Sequence, residues 1–203
     1  MGNRPGYTYY PYHFSGVAAD EEGNFIAVGF REGDHGNRTL LIWKSSNGKG
    51  WSESLNVSTP GHFAGIAYGN GIFVACDSTS ENRISRNGGD SWEIVPVSAG
   101  QTDLTFGDGL FLAAAGQTIC FSDNQGYSWV LSKTFDDNVT SVNYCNQSFF
   151  ATDSNGRIYQ AVIEEITVPS APMNLTAIPD DGQVTLTWTV PATDGGSPIT
   201  TYQ

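Results

Sequence analysis

The sequence predicts an all-β fold built from tandem, equivalent four-stranded sheets. Three observations carry that expectation. An eight-residue box occurs twice in one register, as Ser85-Arg86-Asn87-Gly88-Gly89-Asp90-Ser91-Trp92 and Ser122-Asp123-Asn124-Gln125-Gly126-Tyr127-Ser128-Trp129, both reading Ser-x-Asn-x-Gly-x-Ser-Trp. A Phe-x-Ala tripeptide recurs at Phe25-Ile26-Ala27, Phe73-Val74-Ala75, Phe111-Leu112-Ala113 and Phe149-Phe150-Ala151, the last three each 38 residues apart. Asn70-Gly71 and Asp108-Gly109 lie between apolar runs, where such dipeptides mark tight hairpins.

Each repeat therefore reads strand, tight turn, strand, loop, strand, box, strand. Val17, Ile66, Leu104 and Val142 mark the first strands, and Asn146-Gln147 is the weakest of the hairpin turns. In the second repeat the strands fall near 63–68, 72–77, 82–86 and 91–96. Phe and Ala two apart share one face of a strand, and a recurrent Ala beside a Phe predicts close sheet-to-sheet packing. A four-stranded unit of about 40 residues is one blade of a β-propeller.

The box has a physical logic of its own. Asn87 and Asn124 can bond their own backbone two residues on and pre-form a tight turn. Gly89 and Gly126 allow the positive φ that such a turn needs. Trp92 and Trp129 supply a large apolar body whose N–H still needs an acceptor. Ser85 and Ser122 complete the pattern. The boxes resemble the Asp-box, or bacterial neuraminidase repeat, with Asn in place of the usual Asp. That resemblance implies a box joining the third and fourth strands of a blade, away from the ligand face, with a structural role.

The first and fourth repeats depart from the pattern. Blade one has a box one residue short, Ser45-Ser46-Asn47-Gly48-Lys49-Gly50-Trp51, and an insertion, Arg31-Glu32-Gly33-Asp34-His35-Gly36-Asn37-Arg38. Blade four has three strands, the last near Arg157–Ala161, and no box. Thr8-Tyr9-Tyr10-Pro11 is a candidate for its missing strand. Either four blades close through that segment, or the blades belong to a larger ring. Asp-box rings are usually larger, so about three and a half blades of a bigger ring are expected.

Residues 1–162 are assigned to the blades and 163–168 to a linker. Over 169–203 the chain reads differently. Val184, Leu186 and Trp188 alternate with Thr185, Thr187 and Thr189, the pattern of a half-buried strand. The Pro-rich entry, Leu175, Trp188, Gly196-Ser197-Pro198-Ile199 and Tyr202 resemble the first third of a fibronectin type III domain. That resemblance implies the start of a β-sandwich, further domains of the same parent chain, and an extracellular or cell-surface setting. About 35 residues cannot enclose Trp188, so truncation at both ends is expected, which also accounts for the lack of a visible signal peptide.

Composition narrows the partners. The 203 residues carry a formal charge of −12, from 9 basic and 21 acidic side chains. That surface repels phosphate backbones, so nucleic acid is not an expected partner. No stretch approaches the ~20 apolar residues of a membrane span. Cys76, Cys120 and Cys145 form no CxxC motif and are read as buried or free thiols, not a metal site. No cofactor motif is present.

No residue stands out as catalytic. Candidate ligand-binding residues are Arg31, Glu32, Asp34, His35 and Arg38 of the insertion, because long loops carry function disproportionately. Asp103 joins them: it precedes the first strand of blade three, where the other repeats carry Gly16, Gly65 and Ser141. His13 and His62 recur with the repeat and are read as packing. The expected function is a non-catalytic extracellular recognition or scaffold module with a glycan or protein ligand. The alternative is a fragment of a sialidase-like or other Asp-box glycoside hydrolase. It would need paired carboxylates, for which Asp103 with Asp77 or Asp153 could be tried.

Overall fold

The computed structural model describes residues 12–33, 37–59, 61–161, 169–194 and 201. The chain divides into two compact units, residues 1–161 and 162–203. The first unit is an all-β array of four antiparallel sheets, each in simple up-and-down order. Blade one is β1 (Tyr12–Ala19), β2 (Phe25–Glu32), β3 (Arg38–Ser45) and β4 (Ser52–Thr59). Blade two is β5 (Phe63–Gly69), β6 (Ile72–Asp77), β7 (Glu81–Ser85) and β8 (Glu93–Pro96). Blade three is β9 (Asp103–Gly107), β10 (Leu110–Ala115), β11 (Thr118–Ser122) and β12 (Val130–Thr134). Blade four, among the described residues, is β13 (Val139–Cys145), β14 (Ser148–Asp153) and β15 (Ile158–Ala161). The candidate closing strand at Thr8–Pro11 lies outside the described residues.

The hairpin turns form where the dipeptides predict. Asn70 and Gly71 have φ of 51° and 78°, and Asp108 and Gly109 have 45° and 76°. Two successive left-handed residues make the turn whose twist matches the flanking strands. Asn146 and Gln147 take the same conformation, at 48° and 58°, without a glycine.

Sheet stacks on sheet through three apolar clusters. Ile26, Val28, Leu40 and Ile42 of blade one meet Phe63, Ile66, Phe73 and Ala75 of blade two. Val74, Cys76 and Ile84 of blade two meet Leu104, Phe111 and Ala113 of blade three. Leu112, Ala114 and Ile119 of blade three meet Val139, Val142, Phe149 and Ala151 of blade four. The recurrent alanines sit in these junctions: Ala75 and Ala113 are fully buried.

Each box is a latch onto the preceding blade. In box two Ser85 Oγ accepts from Gly89 N (2.9 Å) and Asn87 Oδ1 accepts from Ser91 N (3.0 Å). Box three repeats both bonds at 2.9 Å, from Gly126 N to Ser122 Oγ and from Ser128 N to Asn124 Oδ1. Trp92 packs on the junction of blades one and two, and Trp129 on that of blades two and three. Their indole N–H groups donate to Gly89 O (3.2 Å) and Gly126 O (3.0 Å). Gly89 needs its φ of +87°, and an added Cβ there would collide with Ile26 of blade one. The short box of blade one keeps Asn47 Oδ1 as acceptor for Lys49 N and Gly50 N, at 2.8 and 2.9 Å.

In the second unit, β16 (Met173–Asp180) pairs with β17 (Gln183–Thr189) as an antiparallel hairpin. The alternation of Val184, Leu186 and Trp188 is present, but these side chains are 59%, 52% and 41% exposed.

Candidate functional site

Antiparallel pairing brings the starts of first and third strands to the same edge as the ends of second strands. In blade one His13 pairs with Phe30 across β1 and β2, and Glu32 pairs with Arg38 across β2 and β3. In blade two Phe63 pairs with Asp77, so His62 and Ser78 reach that edge as well. The insertion does not form a separate loop from end to end. Part of it lengthens the β2–β3 hairpin, with Gly33 N donating to Asn37 O at 2.7 Å.

Phe30 is the centre of the resulting cluster. His13 stacks on its ring at 4.8 Å with 15° between planes, and His62 tilts against it at 5.6 Å. The Arg38 guanidinium lies 4.6 Å from the Phe30 ring centroid, a cation–π distance. Arg38 also stands 3.6 Å from Glu32 Oε1, a loose ion pair with both partners in contact with solvent. Such pairs are worth little to stability, so the guanidinium retains donors for an incoming group.

His62 is half-buried beside this arginine. Its Nδ1 lies 3.1 Å from Ser78 Oγ, and Ser78 N donates to His62 O at 3.0 Å. Burial, then the Arg38 charge, lowers its pKa, against an opposing pull from Asp77. The imidazole is therefore neutral at pH 7. The cluster presents one fixed cation on an aromatic floor, an arrangement that suits a planar carboxylate.

The insertion candidates do not all converge. Glu32 and Arg38 join the cluster. Arg31 neighbours Glu32 along β2, so it points to the opposite face of the hairpin. Asp34 and His35 lie outside the described residues.

Asp103 is spent on a junction between blades. Its Oδ2 accepts from Ser141 Oγ (2.7 Å) and Val142 N (2.9 Å) of blade four, and its Oδ1 accepts from Leu104 N (2.8 Å). The glycines at the equivalent positions explain the place. A Cβ on Gly16 would come within 3.2 Å of Ile66 N, and one on Gly65 within 3.3 Å of Leu104 N. Innermost strands approach closely here, and Asp103 turns the approach into hydrogen bonds.

Asp77 and Asp153 are equivalent turn caps at the ends of second strands. Asp77 Oδ1 accepts from Thr79 N (2.7 Å) and Glu81 N (3.1 Å). Asp153 Oδ1 accepts from Asn155 N and Arg157 N, both at 2.9 Å, and its Oδ2 accepts from Tyr159 OH at 2.8 Å. Asp153-Ser154-Asn155-Gly156 is thus a closed turn. Among the described residues no group of three or more His, Cys, Asp and Glu side chains is placed to hold a metal ion. No helix among them is long and apolar enough to cross a membrane.

Sequence reasoning did not anticipate a second set of positioning residues. Blades one, two and four carry an irregularity in the first strand, at Ser15, Ala64 and Thr140. Ser15 Oγ donates to Phe63 O at 2.6 Å and Thr102 Oγ1 to Val139 O at 3.4 Å, each reaching the next blade. A hydroxyl one or two residues before the aliphatic strand marker was the available signal.

No family model and no curated protein sequence matches the chain. Solved structures do. The WD40 β-propeller domain of Doa1 aligns with a TM-score of 0.53 at 13% identity, over 76% of this chain and 53% of that one. The fold is that of a β-propeller. A chain of a nidogen–laminin complex aligns with a TM-score of 0.50 at 10% identity, over 70% of this chain and 72% of that one. The computationally designed Ika4 protein aligns at 0.51 and 15% identity, over 80% of this chain and 99% of its own. This propeller chain thus spans about half the length of the Doa1 domain.

Proposed function

We propose that this chain is a non-catalytic recognition or scaffold module, taking a carboxylate-bearing group of a glycan or protein partner at the Phe30–Arg38 cluster. The observation that carries the reading is the fate of the acids. Asp77, Asp103 and Asp153, the carboxylates that could have made a catalytic pair, all cap backbone N–H groups. Arg38, the cation of the described cluster, by contrast has a loose carboxylate partner, a 3.5 Å contact to His62 Nδ1 and an aromatic floor. The nidogen–laminin match adds that this architecture occurs within a protein complex.

The same proposal takes the boxes as Asp-box latches and residues 169–203 as the beginning of a fibronectin type III domain, in an extracellular or surface protein with further domains. The antiparallel β16–β17 hairpin, with Val184 and Leu186 alternating with threonines along β17, fits the first strands of such a sandwich.

The test is a glycan array with acidic and neutral members, run beside a panel of fluorogenic glycosides. Binding confined to acidic members and lost in Arg38→Ala is expected, with no turnover. Turnover abolished by Asp103→Asn would replace this reading with a hydrolase.

A further inference from the structure

Blade one has two sheet faces, and among the described residues one of them is covered by a neighbouring blade. Ile26, Val28, Leu40 and Ile42 are buried against blade two. The opposite face carries Phe14, Val17, Ala27 and Trp51. Aligned by the repeat, these are the equivalents of Phe63, Ile66, Ala75 and Trp92, the face that blade two buries on blade one. Phe63 and Ile66 are 0% and 7% exposed, whereas Phe14 and Val17 are 54% and 63% exposed. With Tyr12 and Trp43, this face lines an open apolar groove of about 650 Å³.

At the other end of the array, the described residues leave the complementary face exposed. The outward face of blade four carries Asn143, Phe150, Thr152 and Ile158. By the same alignment they stand where blade one has Ala18, Ile26, Val28 and Ile42. Ile158 is 74% exposed, while its equivalents Ile42 and Ile119 are 0% and 8% exposed. The two free faces are thus the two halves of the junction that already occurs three times within the chain.

We propose that a second copy of this chain occupies the groove, with the blade-four face of each copy docked on the blade-one face of the other. Each copy carries both halves of the contact, so a two-fold pair satisfies both open ends at once, whereas a single contact would leave one of each exposed. The size is consistent. Two copies of four blades make eight, within the range of known propellers. Asn143 and Thr152 make the new junction more polar than the internal ones, as in contacts between separately folded partners.

Sedimentation velocity on the 203-residue chain tests this. A species of twice the 21.8 kDa chain mass is expected in the micromolar range. Phe14→Asp and Ile158→Asp sit on opposite ends and are exposed in the single copy, so both should keep the monomer's circular dichroism and melting. Each should weaken the dimer by at least about 100-fold, the scale of an interface hot spot. A monomer at every concentration overturns the proposal. So does a dimer that resists Ile158→Asp, which would mean that blade-one faces pair with each other. A monomer that associates only after deletion of residues 1–11 also overturns it, and assigns the groove to that segment.

Discussion

Replacing Trp92 by Ala removes the latch between blades one and two, and the structure sets its size. The indole packs on a junction of fully buried side chains, among them Ile26, Val28, Leu40 and Phe63. A tryptophan buries roughly 150–250 Å², worth about 4–6 kcal/mol at ~25 cal/mol per Å² if all of it is removed from water. Trp92 is only partly buried, which reduces that figure to about 3 kcal/mol. Its N–H also serves Gly89 O (3.2 Å) and Ser54 Oγ (3.1 Å). Losing these adds no more than about 1 kcal/mol, because the freed acceptors are near water. The expected total is about 3–4 kcal/mol. Urea unfolding followed by far-ultraviolet circular dichroism measures it, with an unchanged m-value. Trp129→Ala should cost slightly less, since its N–H has Gly126 O as its one acceptor. A loss under about 1 kcal/mol for Trp92→Ala would refute the latch, because buried aromatics do not come out so cheaply.

Other consequences follow from single contacts. Asp103→Ala deletes the acceptor of Leu104 N, Ser141 Oγ and Val142 N. It should cost about 2–3 kcal/mol in the same urea assay, and Asp103→Asn less, because one oxygen remains. Asp153 gives blade four an acid sensitivity. Burial pushes its pKa up, but donation from Arg157 N, Tyr159 OH and Asn155 N, with the Arg157 charge, outweighs this and leaves it below the usual 3.8. A group depressed in the folded state contributes fully above its unfolded value, and the contribution is lost as pH falls through the folded value. Stability should therefore drop below about pH 4, and Asp153→Asn should flatten that slope in acid titrations. The thiols should react in order of access. Cys145 is exposed and Cys120 is half-buried, whereas burial and then the Asp103 charge push Cys76 up to about 12. A chromogenic disulfide reagent should label Cys145 first and reach Cys76 only on unfolding.

The blades were legible because their signals are local and repeated. The turn dipeptides state a backbone conformation outright, and β5 and β6 match the expected 63–68 and 72–77 to within a residue. The box announces its own hydrogen bonds through residue type. What the sequence concealed were contacts across blades. Nothing within a few residues of Asp103 reveals that its acceptors face Ser141 and Val142, 38 and 39 residues away. Arg31 and Arg38 looked like parts of one charged insertion, yet strand alternation turns them to opposite faces. Asn82 stands where blades one and three have Ile42 and Ile119, fully buried and donating to Gln101 Oε1 at 3.1 Å. That pairing depends on which blade comes next, and residue type alone does not encode it.

Native-state hydrogen exchange at the two boxes tests the account most directly. Gly89, Ser91, Gly126 and Ser128 donate their N–H groups to box side chains, not to a strand ladder. If the boxes hold the blades together, these four amides exchange as slowly as those of β6 and β10, through global unfolding. Exchange at the rate of the open turns, with β6 and β10 still protected, would show that the blades stand without their latches.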